Sequence, residues 1–291
     1  MAEAMRRQAR ESGVTDLGKR ARLARIFDPA SGTAIVLPVD HPVESADFPE
    51  LERPRDVVRQ LAGAGVDAFL MRRGLARHAI DDFAGRAGWI QRLTGRSGLS
   101  TAGAAHADNR QLVIASVEDA LRNGADAVAP TFFFGPDTED AAYPALGRIA
   151  DECDRLGMPL LAEVFPQGGP DARPYDGPYS VNDMRLAVRI ASEEGADFIK
   201  TWYTGDPDSF AEVLRYCYIP VIVAGGPAVS DPVDVLRMAR GAMDAGAKGV
   251  AFGRKVWGHA DPPAMARALA RVVRDGASVE AAAAELGGGA R

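Results

Sequence analysis

Lys200 stands inside an apolar run, ADFIKTWYTGDP, in a chain of 291 residues whose 34 basic side chains include only four lysines. Strand alternation would put Phe198, Lys200 and Trp202 on one face, and Asp197, Ile199, Thr201 and Tyr203 on the other. Burial disfavours the ammonium form, so a lysine in such a strand is a candidate amine nucleophile that can condense with a carbonyl to a Schiff base. Arginine, always charged, cannot do this. The plainer alternative is a lysine that reaches solvent or an ion pair at the rim.

Two short phrases suit anions. AGGP (224–227) and FGRK (252–255) offer backbone N–H groups at Gly225, Gly226 and Gly253, with the forked donors of Arg254 beside them. Carboxylates end two other apolar runs. LPVDH carries Asp40 and His41, and LLAEVFPQGG carries Glu163, with Phe165 on the same face. Asp40 either moves protons and orients a substrate hydroxyl, or is a loop cap. Glu163 is an ion-pair partner of an interior cation such as Lys200, or a functional acid/base. Tyr203 and the long loop 166–180, with Arg173, Tyr175 and Tyr179, supply further candidate contacts; surface decoration is the alternative for the loop. Arg72 and Arg73 could reach an anion, but arginine is abundant here. His78, His106 and His259 have no ligand spacing, so no metal is expected. Phe132, Phe133 and Phe134 read as core.

The elements that must position these residues announce themselves through a repeated phrase. A helical stretch ends in glycine, two residues follow, and an apolar run begins: Gly65, Gly124, Gly195 and Gly246 each do this. Further runs lie at 34–40, 159–165 and 220–226, with a weak one, SGLSTAGAA, at 97–105. Helical patterns separate them, several with Ser or Asp caps. Eight strands each followed by a helix imply an α/β fold, a single (β/α)8 TIM barrel. The runner-up, an open doubly wound sheet, is weakened by the lack of GxGxxG after the first strand. The expected organisation is an N-terminal arm over 1–20, the barrel over 21–275, and a C-terminal helix and tail over 276–291. In such a barrel the site lies at the C-terminal ends of the strands, with phosphate often held after strands seven and eight. Every phrase quoted above falls there.

Composition narrows the class. At 47% hydrophobic and 25% charged, the chain is neither disordered nor collagen-like. A net charge of −6 with dispersed arginines argues against nucleic acid as partner. Cys153 and Cys217 form no metal or redox spacing and read as reduced thiols. No secretory signal and no run of about 18 apolar residues is evident, so no membrane partner is expected and the localisation is expected to be cytoplasmic.

Together, LPVDH, GMPLLAEVFPQGG, GADFIKTWYTGDPDSF, IPVIVAGGP and GAKGVAFGRKVWGHADP resemble the archaeal-type class I fructose-bisphosphate aldolase family. Its relatives include 2-amino-3,7-dideoxy-heptulosonate synthases and the thiolase acting on phosphorylated autoinducer-2. The similarity runs from about Arg20 to about Arg274. The resemblance implies a (β/α)8 barrel in which Lys200 matches the Schiff-base lysine and Asp40 the strand-one acid. Gly225, Gly226, Gly253 and Arg254 match the phosphate site. It also implies no cofactor beyond the covalent lysine imine, a small phosphorylated carbonyl substrate, and a homo-oligomer.

Two departures stand out. The family's acid/base tyrosine, in a YPRG phrase, is replaced by Phe165 and Gln167 in FPQGG, and His41-Pro42 replaces His-Gly. Phe165 has no proton to give. Glu163, one alternation step away, is therefore expected to take over the acid/base work, with Arg173 offsetting the loop arginine. The function expected is a Schiff-base aldolase or transaldolase-like enzyme that forms or cleaves a C–C bond in a phosphorylated ketose-type substrate. The alternatives are acyl transfer from a phosphorylated diketone to coenzyme A, or a barrel that binds sugar phosphate without turnover.

Overall fold

A computed structural model describes residues 17–41, 48–96, 111–135, 138–166, 180–226 and 231–287. Eight parallel strands form the wall: β1 (Ala34–Pro38), β2 (Ala68–Met71), β3 (Gly88–Arg92), β4 (Ala127–Ala129, resuming as Thr131–Phe134), β5 (Leu161–Pro166), β6 (Phe198–Trp202), β7 (Val221–Ala224) and β8 (Gly249–Ala251). Their order runs β4-β3-β2-β1-β8-β7-β6-β5 and returns to β4, so the sheet closes on itself. The fold is the expected (β/α)8 barrel.

Closure happens at a proline. The first half of β4 pairs with β3 and the second half with β5. Pro130 lies between them, where the strand changes partner and a ladder donor can be given up. Its carbonyl accepts from Glu163 N at 3.0 Å. The next N–H, of Thr131, donates to the Thr94 hydroxyl at 2.9 Å.

Helices α1 (Leu17–Leu23), α2 (Pro54–Leu61), α3 (Arg73–Phe83), α4 (Val117–Arg122), α5 (Glu139–Leu156), α6 (Val181–Glu193), α7 (Pro207–Leu214), α8 (Pro232–Asp244), α9 (Arg254–Trp257) and α10 (Pro262–Val273) accompany the strands. Ser116, Ser180, Asp206, Asp231 and Asp261 cap five of them through side-chain oxygens. Gly65, Gly124, Gly195 and Gly246 all have positive φ, as their phrase requires.

The third strand differs from expectation. It is GWIQR at 88–92, and the segment 97–105 lies outside the described residues. Gly85, with φ +75, is a fifth instance of the glycine stop, with two residues between it and the strand that begins at Gly88. A strand containing Gly, Gln and Arg has a weak apolar signature.

Inside the barrel, alternation sorts side chains by height. Ile90, Ala129, Leu161 and Phe198 belong to an apolar lower layer, closed from below by Ile26 and Phe27. Phe27 packs edge-on against Phe198, ring centroids 5.2 Å apart. One alternation step up, the same four strands present Arg92, Thr131, Glu163 and Lys200. A further step gives Phe133, Phe165 and Trp202. The outer faces of the strands meet the helices in a separate, larger core.

Candidate active site

The cavity at the C-terminal ends of the strands is lined by Asp40, His41, Arg92, Thr131, Glu163 and Lys200, with Phe133, Phe165 and Trp202 above them. Register builds its centre. Glu163 on β5 pairs with Lys200 on β6, so the two side chains leave adjacent strands at one level. Lys200 Nζ lies 2.5 Å from Glu163 Oε1. The other oxygen, Oε2, accepts from Arg92 Nη1 at 2.7 Å and from the Thr131 hydroxyl. Arg92 Nη1 also donates to Asp40 Oδ2 at 3.0 Å. Asp40, Arg92, Glu163 and Lys200 thus form one chain of alternating charge, each member less than 10% exposed.

Such a chain is tolerable in a barrel interior because each charge meets its opposite. Burial alone would push the carboxyls of Asp40 and Glu163 up. The cations outweigh it: Arg92 and Lys200, with His41 when it is protonated, hold Asp40 below its ordinary value, and Lys200 and Arg92 do the same for Glu163. Both are therefore carboxylates at neutral pH. Burial pushes the His41 imidazole down, against the opposing pull of Asp40, 3.7 Å away. Its ring packs edge-on against Phe48 and Trp257, and the Trp257 indole N–H donates to Pro38 O at 3.0 Å.

Phe165 stands on β5, one alternation step beyond Glu163. Its ring lies 4.4 Å from Trp202 and 5.4 Å from Phe133, centroid to centroid. This aromatic layer covers one side of the charged layer.

The opposite side is polar. Gly225, Gly226, Gly253 and Arg254 all line the cavity at the ends of β7 and β8. Gly226 has φ +64. A side chain at Gly253 would start 2.7 Å from Pro38 O, so the close approach of β8 to β1 demands glycine there. Arg254 Nη2 donates to Gly226 O at 3.0 Å, which holds the guanidinium over the turn. Lys255 also lines this wall, its pKa pushed down to about 8 by burial and by Arg254.

The sequence-predicted residues divide three ways. Lys200, Asp40, Glu163, His41, Gly225, Gly226, Gly253 and Arg254 come together in one cavity. Arg173 lies outside the described residues. Tyr203 is a correction. It sits beyond the strand on the outward parity, packs against Phe210 at 5.3 Å, and its hydroxyl approaches Gly241 of α8. The alternation that turns Lys200 inward turns Tyr203 outward. Sequence reasoning missed Arg92, Arg96, Gln111 and Lys255, all of which line the cavity. The strand after the Gly85 stop was the available signal for Arg92. Among the described residues no group of three or more His, Cys, Asp or Glu side chains could hold a metal, and no helix is long and apolar enough to cross a membrane.

Comparison with known proteins gives the family. Residues 34–259 match the family model for DeoC/LacD family aldolases. The chain is 39% identical over 274 residues to a 2-amino-3,7-dideoxy-D-threo-hept-6-ulosonate synthase of Halobacterium salinarum, covering 94% of this chain and 98% of that protein. It is 32% identical to a 2-amino-4,5-dihydroxy-6-oxo-7-(phosphonooxy)heptanoate synthase of Streptomyces griseus, covering 92% and 95%. A crystal structure of an archaeal fructose 1,6-bisphosphate aldolase superposes with a TM-score of 0.76 at 32% identity, over 88% of this chain and 98% of that one. A structure with the catalytic lysine covalently bound to the carbinolamine intermediate of the substrate superposes at 0.75, also at 32% identity, over 87% and 98%. By sequence and by fold, the chain belongs to the DeoC/LacD family of aldolases, with the Schiff-base-forming class I enzymes among its relatives.

Proposed function

We propose that the protein is a class I aldolase working in the direction of synthesis, joining a phosphorylated ketone donor to an aldehyde that carries an α-amino acid. The observation that carries the reading is the Lys200 amine set against the Glu163 carboxylate at 2.5 Å, with an anion-suited wall of Gly225, Gly226, Gly253 and Arg254 on one side of the same cavity. The names of the two synthases sharpen the acceptor. In both products the ketone is C6 and a hydroxyl stands on C4, so an aldol disconnection falls between C4 and C5. The C1–C4 half is then 2-amino-4-oxobutanoate in each case. The donor halves differ, one a methyl ketone and one a ketone phosphate.

Lys200 attacks the donor ketone and water leaves as the imine forms. Loss of a proton from the neighbouring carbon gives the enamine, which adds to the aldehyde carbon; the aldehyde oxygen takes up a proton and hydrolysis returns the amine. Glu163 accepts the proton Lys200 must lose before attack. Asp40, joined to it through Arg92, orients donor hydroxyls or relays the proton from the donor carbon. Phe165 and Trp202 shield the enamine from water. The chain works as a homo-oligomer in the cytoplasm.

Incubation with dihydroxyacetone phosphate and borohydride, followed by mass spectrometry, tests this reading. A three-carbon phosphate adduct on Lys200 is the expected result, together with a seven-carbon amino keto acid phosphate when 2-amino-4-oxobutanoate is added without reductant. Binding of the ketone phosphate with no adduct overturns it, and a thioester formed with coenzyme A would replace it with acyl transfer.

A further inference from the structure

β3 is followed at once by a hairpin, Thr94–Gly95 against Leu112–Val113. Its antiparallel register pairs Thr94 with Val113 and Gly95 with Leu112. The next pair outward is therefore Arg96 with Gln111, two side chains that leave facing strands on one face. Both line the cavity that holds Lys200.

Their polar atoms are buried and unmet. Arg96 Nε and Nη1, and Gln111 Oε1, have no hydrogen-bond partner among the described residues. Buried donors and acceptors left this way cost free energy, and a ligand that meets them recovers it. The set has a particular chemistry. A guanidinium with unmet N–H donors suits a carboxylate, and an amide carbonyl without a donor suits an ammonium. One small group presents both charges together, the α-amino carboxylate.

Position agrees. Counting round the barrel, β3 is four strands from β7, so the hairpin stands on the wall opposite the Gly225–Gly226 turn, with Lys200 on β6 between. A donor phosphate held at β7 and β8 and a ketone on Lys200 direct the far end of the acceptor toward the hairpin. We propose that Arg96 and Gln111 form the acceptor subsite, Arg96 binding the carboxylate and Gln111 the ammonium of an amino acid aldehyde. The proposal rests on the synthetic aldol reading above and assigns the side chains that select the acceptor.

The test is acceptor discrimination with saturating dihydroxyacetone phosphate. Three aldehydes separate the two contacts: 2-amino-4-oxobutanoate, 4-oxobutanoate without the amine, and butanal with neither charge. In Arg96→Met the kcat/KM preference for 4-oxobutanoate over butanal falls by about 10- to 100-fold, as expected for a lost charge-assisted pair. In Gln111→Met the preference for 2-amino-4-oxobutanoate over 4-oxobutanoate falls instead. Arg96→Lys, which keeps charge but not the fork, is intermediate. Each readout is a ratio within one variant, so partial unfolding cancels. Ratios that stay at their wild-type values, or a uniform fall for all three aldehydes, overturn the subsite. Borohydride trapping on the wild-type protein separates the two failures. An adduct on Lys200 with unchanged ratios removes the subsite alone, whereas no adduct removes the aldol reading and the subsite with it.

Discussion

Lys200 and Glu163 are register partners on neighbouring strands, and their charged ends meet 2.5 Å apart inside the barrel. Neither is a rim residue that could trade its partner for water; both are less than 10% exposed. The pairing is made by the backbone ladder rather than by side-chain flexibility. Anything that keeps β5 and β6 in register keeps the amine and the carboxylate together. The carboxylate in turn is shared: Arg92 and Thr131 hold its second oxygen, so the first points at the amine.

Glu163→Gln is the direct probe of that relationship. The amide keeps the shape and the Thr131 contact but does not accept the proton from Lys200. Turnover is expected to fall by about 10²- to 10⁴-fold, the usual worth of a positioned base. The borohydride adduct with dihydroxyacetone phosphate should still accumulate on Lys200, more slowly. Near-wild-type turnover sinks the role assigned to Glu163.

Lys200→Arg keeps the positive charge opposite Glu163 and removes the proposed nucleophile. No adduct and no turnover should remain, because guanidinium does not form an imine. A Glu163-paired arginine that still supported C–C bond formation would place the covalent step elsewhere.

Arg92 holds two buried carboxylates, and its removal should be felt in stability first. Arg92→Met leaves Asp40 and Glu163 without their shared cation, at a cost of about 3–5 kcal/mol near neutral pH. The sign with pH follows from the direction of the shifts. Asp40 and Glu163 are held below their ordinary values of 3.8 and 4.5, so their stabilising effect is full above those values and lost as pH falls through the lower, folded ones. The gap between wild type and variant in urea midpoint should therefore be widest at neutral pH and close on acidification. A gap that widens in acid contradicts the chain of charges.

Much of this site could be read before the structure. Lys200 stood out because an apolar strand offers it no other reason to be a lysine. Asp40, Glu163 and the glycines of β7 and β8 stood out because they end apolar runs, where a barrel puts its chemistry. Arg92 did not, and the reason is physical. Thirty arginines hide one, and the GWIQR strand that carries it has little β-branched content. What makes Arg92 special is a contact with Glu163, 71 residues away, which depends on barrel closure. Arg96 and Gln111 flank a two-residue ladder whose strands lie far apart in sequence, so no local pattern announces them. Tyr203 shows the converse error. Its motif drew it into the site, although simple alternation had already turned it away.

Tyr203→Phe is a useful control for that correction. The hydroxyl lies under α8, outside the cavity, and burial pushes its pKa up to about 12, so it stays neutral at any working pH. The variant should keep kcat/KM for donor and acceptor within about twofold of wild type, as a substitution away from the site does. A loss of donor affinity would return Tyr203 to the binding site.

Lys255 should give the proposed anion wall a pH dependence. Burial and the neighbouring Arg254 bring its pKa down to about 8 from the ordinary 10.5. Below about 8 it adds a second positive charge beside Arg254; above that value the wall keeps Arg254 alone. Sulfate has no titration of its own in this range, so its inhibition of donor binding reports the protein group. The inhibition constant should rise by about tenfold as pH climbs from about 7 to 9, the loss of one paired charge in a partly buried site. In Lys255→Met the constant should start at the weaker value and stay flat. Folding stability should move the other way. Between about 8 and 10.5 the unfolded chain holds a proton that the folded chain has released, so wild-type stability gains with rising pH and the variant's does not. If sulfate inhibition in Lys255→Met still weakens across pH 8, another group in the cavity carries the titration.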